Sequence, residues 1–230
     1  MLKIILMGLL FIVNYAFCQD IKVLGDSHIT KMGGLDNLKK ILNVSIEQMG
    51  YSNNYEIPQS IVTVKDASIY QETTYPNGKH IVVVNNNNGW EINPFVSTTP
   101  RDLTSVEIQR YNANISLFGP LYDFCINGVN SRIKEIIIDG EKEIDKDLCY
   151  KLNVTYKNNI SEFVYISKKN YMIRKIENSF GTIQFSNYKK VNNVMFSFNS
   201  EMKNKLGIMT IDVLKIKANV KLSPSLFKKP

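Results

Sequence analysis

Tryptophan occurs once in this chain, at position 90, histidine twice and cysteine three times. With so few metal-binding and nucleophilic side chains, much familiar chemistry is out of reach. No His/Cys/Asp/Glu group has metal-ligand spacing, and GxSxG, HExxH, Walker and GxGxxG motifs are all missing. Ser27 and His28 are neighbours in sequence, but adjacent helical residues point apart and do not make a nucleophile–base pair. The acidic pairs Glu141/Glu143 and Asp145/Asp147 fall in a polar turn region and read as solvated surface. His28 shares an apolar helical face and reads as structural, whereas His80 follows a Pro-Asn-Gly turn and is expected at the surface. The sequence therefore predicts no catalytic residue, no metal and no cofactor.

Dense basic blocks are missing too. The chain holds 28 Lys and Arg against 21 Asp and Glu, a net charge of +7, but the excess is spread thinly, as in KIKANVK near the end. A nucleic-acid binder clusters its cations on one face with aromatics between them, so no nucleic-acid partner is expected. A weak attraction to anionic lipid surfaces is compatible with the charge.

The apolar run IILMGLLFIVNYAF follows Lys3 and is too short and too early for a membrane span. Ala16 and Cys18 take the −3 and −1 positions for a cut before Gln19, so residues 1–18 read as a cleaved signal peptide. The alternative is a lipid anchor on Cys18. Phe17 argues against it, because a small residue normally precedes a lipidated cysteine. Removal of the leader takes away Lys3 and no other charge.

The length of 230 residues and a hydrophobic fraction of 44% predict a single ordered domain over 19–230. In DIKVLGDSHITKM, Ile21, Leu24, His28 and Met32 share one helical face. Gly33-Gly34 ends that helix, Gly25 weakens it, and LDNLKKI adds a short turn of helix. Strands then follow quickly: VSIEQMGY, SIVTVKD, ASIYQETTY, KHIVVVN and GWEINPF. Pro76-Asn77-Gly78 and the asparagines before Gly89 supply turns. The pattern breaks over 94–130, where STTPRDLTSVEIQRYN has a Ser/Thr cluster before a proline and then a helical stretch, and SLFGPLYDFCINGVN puts Pro120 at a first helical position. An apolar stripe there holds Leu117, Leu121, Phe124, Cys125 and Gly128, with Asp123 and Asn127 off it. Strands resume at Arg132. In the last strand Met209, Ile211 and Val213 are odd and Ile216, Ala218, Val220 and Leu222 even, so a β-bulge near Val213-Leu214 is needed to keep one inner face. Cys149 falls on the polar, outward face of LCYKLNVTY and Cys125 on an inward helical stripe, which puts them on opposite sides of the sheet and argues against a disulfide. The fold class is α+β and mainly antiparallel β: a strongly curved sheet of about eleven strands whose concave apolar face is covered by segregated helices.

Several segments in succession resemble the bacterial outer-membrane lipoprotein-sorting-protein-like family. They are MGGLDNLKKI, NGKHIVVVNNNNGWEINPF, GPLYDF, IDGEKEIDKDLCYKLNV, YISKKNYMIRKIE and FSNYKKVNNVMFSF, which together cover most of the chain after residue 18. Each is weak alone; their collinear order carries the likeness. The resemblance implies the fold of periplasmic carriers of the LolA/LolB type, an incomplete barrel with a helical lid over an apolar cavity that shelters acyl chains. It implies a periplasmic, non-catalytic, monomeric carrier or chaperone whose partners are lipid or lipoprotein acyl chains, with an envelope protein as a further partner. An envelope sensor or protein-interaction module using the same cavity is the alternative, and an enzyme acting on a hydrophobic small molecule is the least favoured reading. On this reading the lid spans about 94–130, Phe95, Leu117, Phe118, Leu121, Tyr122 and Phe124 line the cavity, and Trp90 braces its rim. Asn93-Pro94 would end the preceding strand where the lid begins.

Overall fold

The computed structural model describes residues 21–230 apart from 86, 129, 130 and 206. The leader and its cut after Cys18 lie outside the described residues. One sheet of thirteen strands is formed, with every neighbouring pair antiparallel. On one side run β1 (Asn43–Ser52), β2 (Tyr55–Val64), β3 (Ser68–Tyr75), β4 (Gly78–Asn85), β5 (Asn88–Asn93) and β6 (Ser97–Asp102). On the other run β7 (Ile133–Ile144), β8 (Asp147–Tyr156), β9 (Ser161–Ser167), β10 (Ile173–Asn178), β11 (Gly181–Val191), β12 (Val194–Asn204) and β13 (Gly207–Ala218). The two meanders meet where β1 pairs with β13, so β6 and β7 are the edges and the barrel stays incomplete. Four helices accompany the described sheet: α1 (residues 21–32), α2 (Leu35–Lys40), α3 (Ser105–Asn114) and α4 (Pro120–Asn127).

Asparagine makes the short turns. A two-residue hairpin loop wants two successive left-handed residues, and Asn tolerates that backbone better than other non-glycine residues. Asn53 and Asn54 have φ of 49° and 68°, and Asn192 and Asn193 have 48° and 64°. The asparagine run also falls at a strand reversal, since Asn85 and Asn88 pair across the β4–β5 turn.

Two sequence expectations change. STTPRD, read as an approach to the lid, is the edge strand β6. Proline cannot donate to a sheet ladder, and an edge strand is where it is tolerated, so Pro100 marks the edge rather than a helix start. The helix begins instead after Thr104, whose side chain caps α3 reciprocally with Glu107. Cys149 does face away from the helices, but it is buried, packed with Ile144, Phe163 and Tyr165. Lysines roof this outer cluster: Lys151 Nζ lies 4.0 Å from the Phe163 ring centroid, and Lys142 and Lys175 lie 5.7 and 5.5 Å from that of Tyr165. Long alkyl stems with cations at their tips cover apolar surface that the polar pattern hides. Both Cys125 and Cys149 are free thiols.

The expected bulge is present. Glu47 pairs with Lys215 and Gln48 with Val213, which leaves Leu214 looped out. Ile216 and Ala218 beyond it, and Val213 before it, all pack into the core beneath the helices.

That core has three inner parts. Ile21 and Leu24 of α1 and Leu121 of α4 sit on β7–β10 through Leu152, Val154, Val164 and Ile166. Ile29, Met32, Leu38, Phe118 and Tyr122 sit on β1, β12 and β13 through Val44, Val194 and Ile216. Ile108 of α3 covers Val82 and Val84 of β4. Together the helices lie across the inner face from one meander to the other.

Candidate functional site

Arg132 ties α3 to α4. Arg132, just before β7, donates to the carbonyls of Asn112 and Ile115 at the end of α3, and its Nη2 lies 2.9 Å from Asp123 Oδ2 on α4. Asp123 is buried, against the expectation from the stripe. Burial raises its carboxyl pKa, and the Arg132 charge opposes that rise. A second buried pair lies nearby on the sheet, where Tyr156 OH donates to Glu162 at 2.6 Å. Burial lifts Glu162 above the usual carboxylate range, against the hydrogen bonds from Tyr156 and Asn178.

His28 ties α1 to this assembly. Its Nδ1 is 2.7 Å from the Tyr171 carbonyl oxygen and its Nε2 is 3.4 Å from that of Phe118. The ring is fully buried, and burial lowers its pKa despite both carbonyls. Its role is structural, as the apolar face implied.

Beside these helices an apolar groove of about 910 Å³ opens between α1, α4 and the edge strand β7. Ile21, Phe124, Cys125, Ile133, Ile136 and Ile138 form its apolar wall. Lys22, Lys134 and Lys157 line it as well, with Asp26 and Glu135. Burial and Asp26 push the Cys125 thiol up to about 11, so it is an apolar wall rather than a nucleophile. A volume near 900 Å³ falls in the range of sites that enclose small ligands, about 300–1,000 Å³. Neither Asp123 nor Glu162 lines the groove, so the buried acids do not converge on it.

The structure separates the residues that the sequence grouped. Phe124 lines the groove. Phe118, Leu121 and Tyr122 are buried beneath α4, where the Phe118 and Tyr122 rings meet edge to face at 5.0 Å. Leu117 is half-buried against the same core. These four pack into the core clusters between the helices and the sheet. Phe95 lines neither the groove nor the cleft beside Trp90: it is 65% exposed at the β5–β6 turn, its ring 4.9 Å from that of Tyr75.

Trp90 pairs with Val83, while the adjacent Val82 and Val84 face α3, so the indole lies on the outer face. There the C-terminal turn Pro224–Phe227 covers it, with Trp90 Nε1 donating to the Phe227 carbonyl at 3.4 Å. It borders a second cleft of about 550 Å³ with Leu103, Ile108 and Phe227, away from β7. Strand alternation could not show this, because the cover comes from a tail more than a hundred residues away in sequence.

The groove's β7 wall was not singled out in the sequence. Its signal was the run Ile136-Ile137-Ile138, since an apolar run on an edge strand needs a cover on at least one face.

No protein-family model and no curated protein sequence matches the chain. Solved structures do. A LolA superfamily protein from Nitrosomonas europaea superposes with a TM-score of 0.57 at 15% identity, over 92% of this chain and 97% of that one. A DUF1329 family protein from Desulfovibrio piger gives 0.55 at 13%, over 90% and 97%. A putative outer membrane lipoprotein-sorting protein domain from Vibrio parahaemolyticus gives 0.52 at 12%, over 81% and 89%. A half-barrel of antiparallel strands with helices across its inner face is thus a fold shared over nearly the whole length. It is the LolA-type fold, and the likeness at these identities is one of fold.

Proposed function

We propose that the protein is a non-catalytic carrier or chaperone for lipid or lipoprotein acyl chains in the periplasm of a bacterial envelope. The observation that carries this reading is the apolar groove between α1, α4 and β7, with Lys22, Lys134 and Lys157 among its lining residues. Each methylene hidden from water is worth about 0.8 kcal/mol, so binding an acyl chain needs apolar wall and no reacting group. The lysines suit an anionic or polar head left at the mouth. The family resemblance and the LolA-type fold point the same way.

A protein-interaction module would use the free edge of β7, which borders the groove. Two register shifts interrupt that strand, and Lys134, Glu135, Asp139, Glu141, Lys142 and Glu143 stud it. Such bulges and charges discourage strand addition, which favours the carrier reading.

The test is mass spectrometry of lipid extracted from protein purified from the producing envelope, for the parent and for Phe124→Glu. Phe124 is half-buried, so the substitution places a charge in the groove and leaves the fully buried core untouched. The parent should carry acyl lipid and the variant should lose most of it while keeping its circular dichroism. Equal retention by both, or a parent that carries no lipid and takes up no fluorescent acyl probe, would end the proposal.

A further inference from the structure

Antiparallel pairing sorts the hairpins into two ends. At one end lie the turns β1–β2, β3–β4, β5–β6, β8–β9, β10–β11 and β12–β13; at the other lie β2–β3, β4–β5, β7–β8, β9–β10 and β11–β12. The two ends differ in chemistry. The first carries Tyr51, Tyr55, Phe95, Val96, Phe180 and Ile208, all exposed, with Val96 at 81% and Tyr55 at 65%. Among the described residues of the second end, the turns hold mainly Asn, Asp and Lys, Tyr171 and Met172 of the β9–β10 turn are half-buried and buried, and the large exposed hydrophobics are Leu42, Leu148 and, where α3 follows β6, Val106.

Neighbouring apolar tips touch in pairs along this end. Asn77 Nδ2 donates to the Pro94 carbonyl at 3.4 Å, and the Tyr75 and Phe95 rings are in contact, so the β3–β4 and β5–β6 hairpins touch. Ser52 Oγ donates to the Ile208 carbonyl at 3.2 Å, which joins the β1–β2 and β12–β13 hairpins. Arg110 of α3 lies over the Phe180 ring, 5.4 Å from its centroid. Lysines outnumber carboxylates near these tips: Lys157, Lys203 and Lys205 are exposed, against Glu56 and, one residue in from the β10–β11 turn, Glu177.

We infer that this hairpin rim docks the protein on a lipid bilayer that contains anionic headgroups. Tyr and Phe on short polar turns are amphipathic groups suited to the headgroup level. Lysines beside them are drawn to anionic lipid. An apolar row of this extent, confined to one end of a sheet whose other end is polar, is more than scattered surface hydrophobics. The inference does not rest on the proposed cargo. The two meet at Lys157, which sits in the β8–β9 turn of the same end and lines the groove, so a docked protein would hold that part of the groove toward the membrane.

The test is flotation of the full chain with vesicles of phosphatidylethanolamine and phosphatidylglycerol, compared with vesicles of phosphatidylcholine alone. The parent should bind the anionic vesicles more tightly, and the difference should shrink with salt. Phe95→Ser with Tyr55→Ser should weaken binding at least about tenfold. Lys203→Gln with Lys205→Gln should lower it at low salt only, and Leu42→Ser with Leu148→Ser, at the opposite end, should leave it unchanged. All these positions are exposed, so unfolding midpoints should stay together. Equal binding by the Phe95/Tyr55 variant overturns the inference, and so does an equal loss in the opposite-end variant. Absence of vesicle binding by the parent also overturns it, and a rim-dependent dimer in sedimentation would then assign the rim to a second copy of the chain. Lipid extraction and vesicle flotation read different surfaces, so failure of one leaves the other standing.

Discussion

Gly25 on α1 and Cys125 on α4 mark the point where these two helices meet. A β-carbon at residue 25 would lie 2.2 Å from the Cys125 Sγ. In sequence Gly25 weakens its helix; in the structure it is what lets α1 press onto α4 beside the groove.

That contact gives a double-mutant cycle. Gly25→Ala alone should cost about 1–3 kcal/mol through overpacking. With the sulfur removed, as in Cys125→Ala, the same change should become neutral or stabilising, because Ala is favoured over Gly in a helix by up to about 1 kcal/mol. Urea unfolding of the four proteins measures the coupling. An equal cost of Gly25→Ala in both backgrounds would show that the helices do not meet there.

Arg132 should behave as a latch for α3 and α4. Arg132→Met strands the buried Asp123 carboxylate and frees the carbonyls of Asn112 and Ile115. Its side chain is 30% exposed, so the loss should be somewhat below that of a fully buried pair, about 2–4 kcal/mol. Hydrogen exchange should quicken in residues 105–127 while β8, β9 and β12 stay protected. Uniform quickening across the sheet would show that Arg132 supports the whole fold rather than the lid.

Much of the fold was legible because local signals agreed with it. The Ile21, Leu24, His28 and Met32 face is the buried face of α1, and the Pro-Asn-Gly and asparagine turns fall where strands reverse. The candidate site was legible only in part. Phe118, Leu121 and Tyr122 were identified as inward-facing, but helical spacing cannot tell a packed core from a cavity wall. Leu121 is fully buried, so a charge there would probe folding and not binding, and Phe124 is the side chain that separates the two. The placement of Trp90 and Cys149 was hidden for another reason: their cover comes from Phe227 and from lysine stems, groups that no alternation rule assigns to an interior.

Acid should loosen the seating of α1 through His28. Its pKa in the fold is depressed below the unfolded value of 6.5 by burial. A depressed folded pKa contributes stability that is present above the unfolded value and is lost as pH falls below it. The buried carboxyls of Asp123 and Glu162 are raised instead, so their contribution grows as pH falls and opposes His28. Subtraction isolates the histidine: the stability advantage of the parent over His28→Gln should shrink from pH 7.5 to pH 5 in paired denaturant titrations. An advantage that is flat or grows toward pH 5 would mean that the ring is not held neutral.

The bulge in β13 offers the sharpest test of register. Leu214 is looped out and 62% exposed, so Leu214→Ser should change stability by no more than about 0.5 kcal/mol. Deletion of Leu214 is a different matter. It removes the phase change that lets Val213 and Ile216 face the same side, and a one-residue slip sends every later side chain to the opposite face. Ile216 and Ala218 would turn outward, or Ile211 and Val213 would. Either loss of apolar burial should cost at least about 3 kcal/mol, and it would fall on the strand that joins the two meanders through β1. If the deletion unfolds at the same denaturant midpoint as Leu214→Ser, the strand does not depend on its extra residue, and the continuous inner face must be maintained by other contacts.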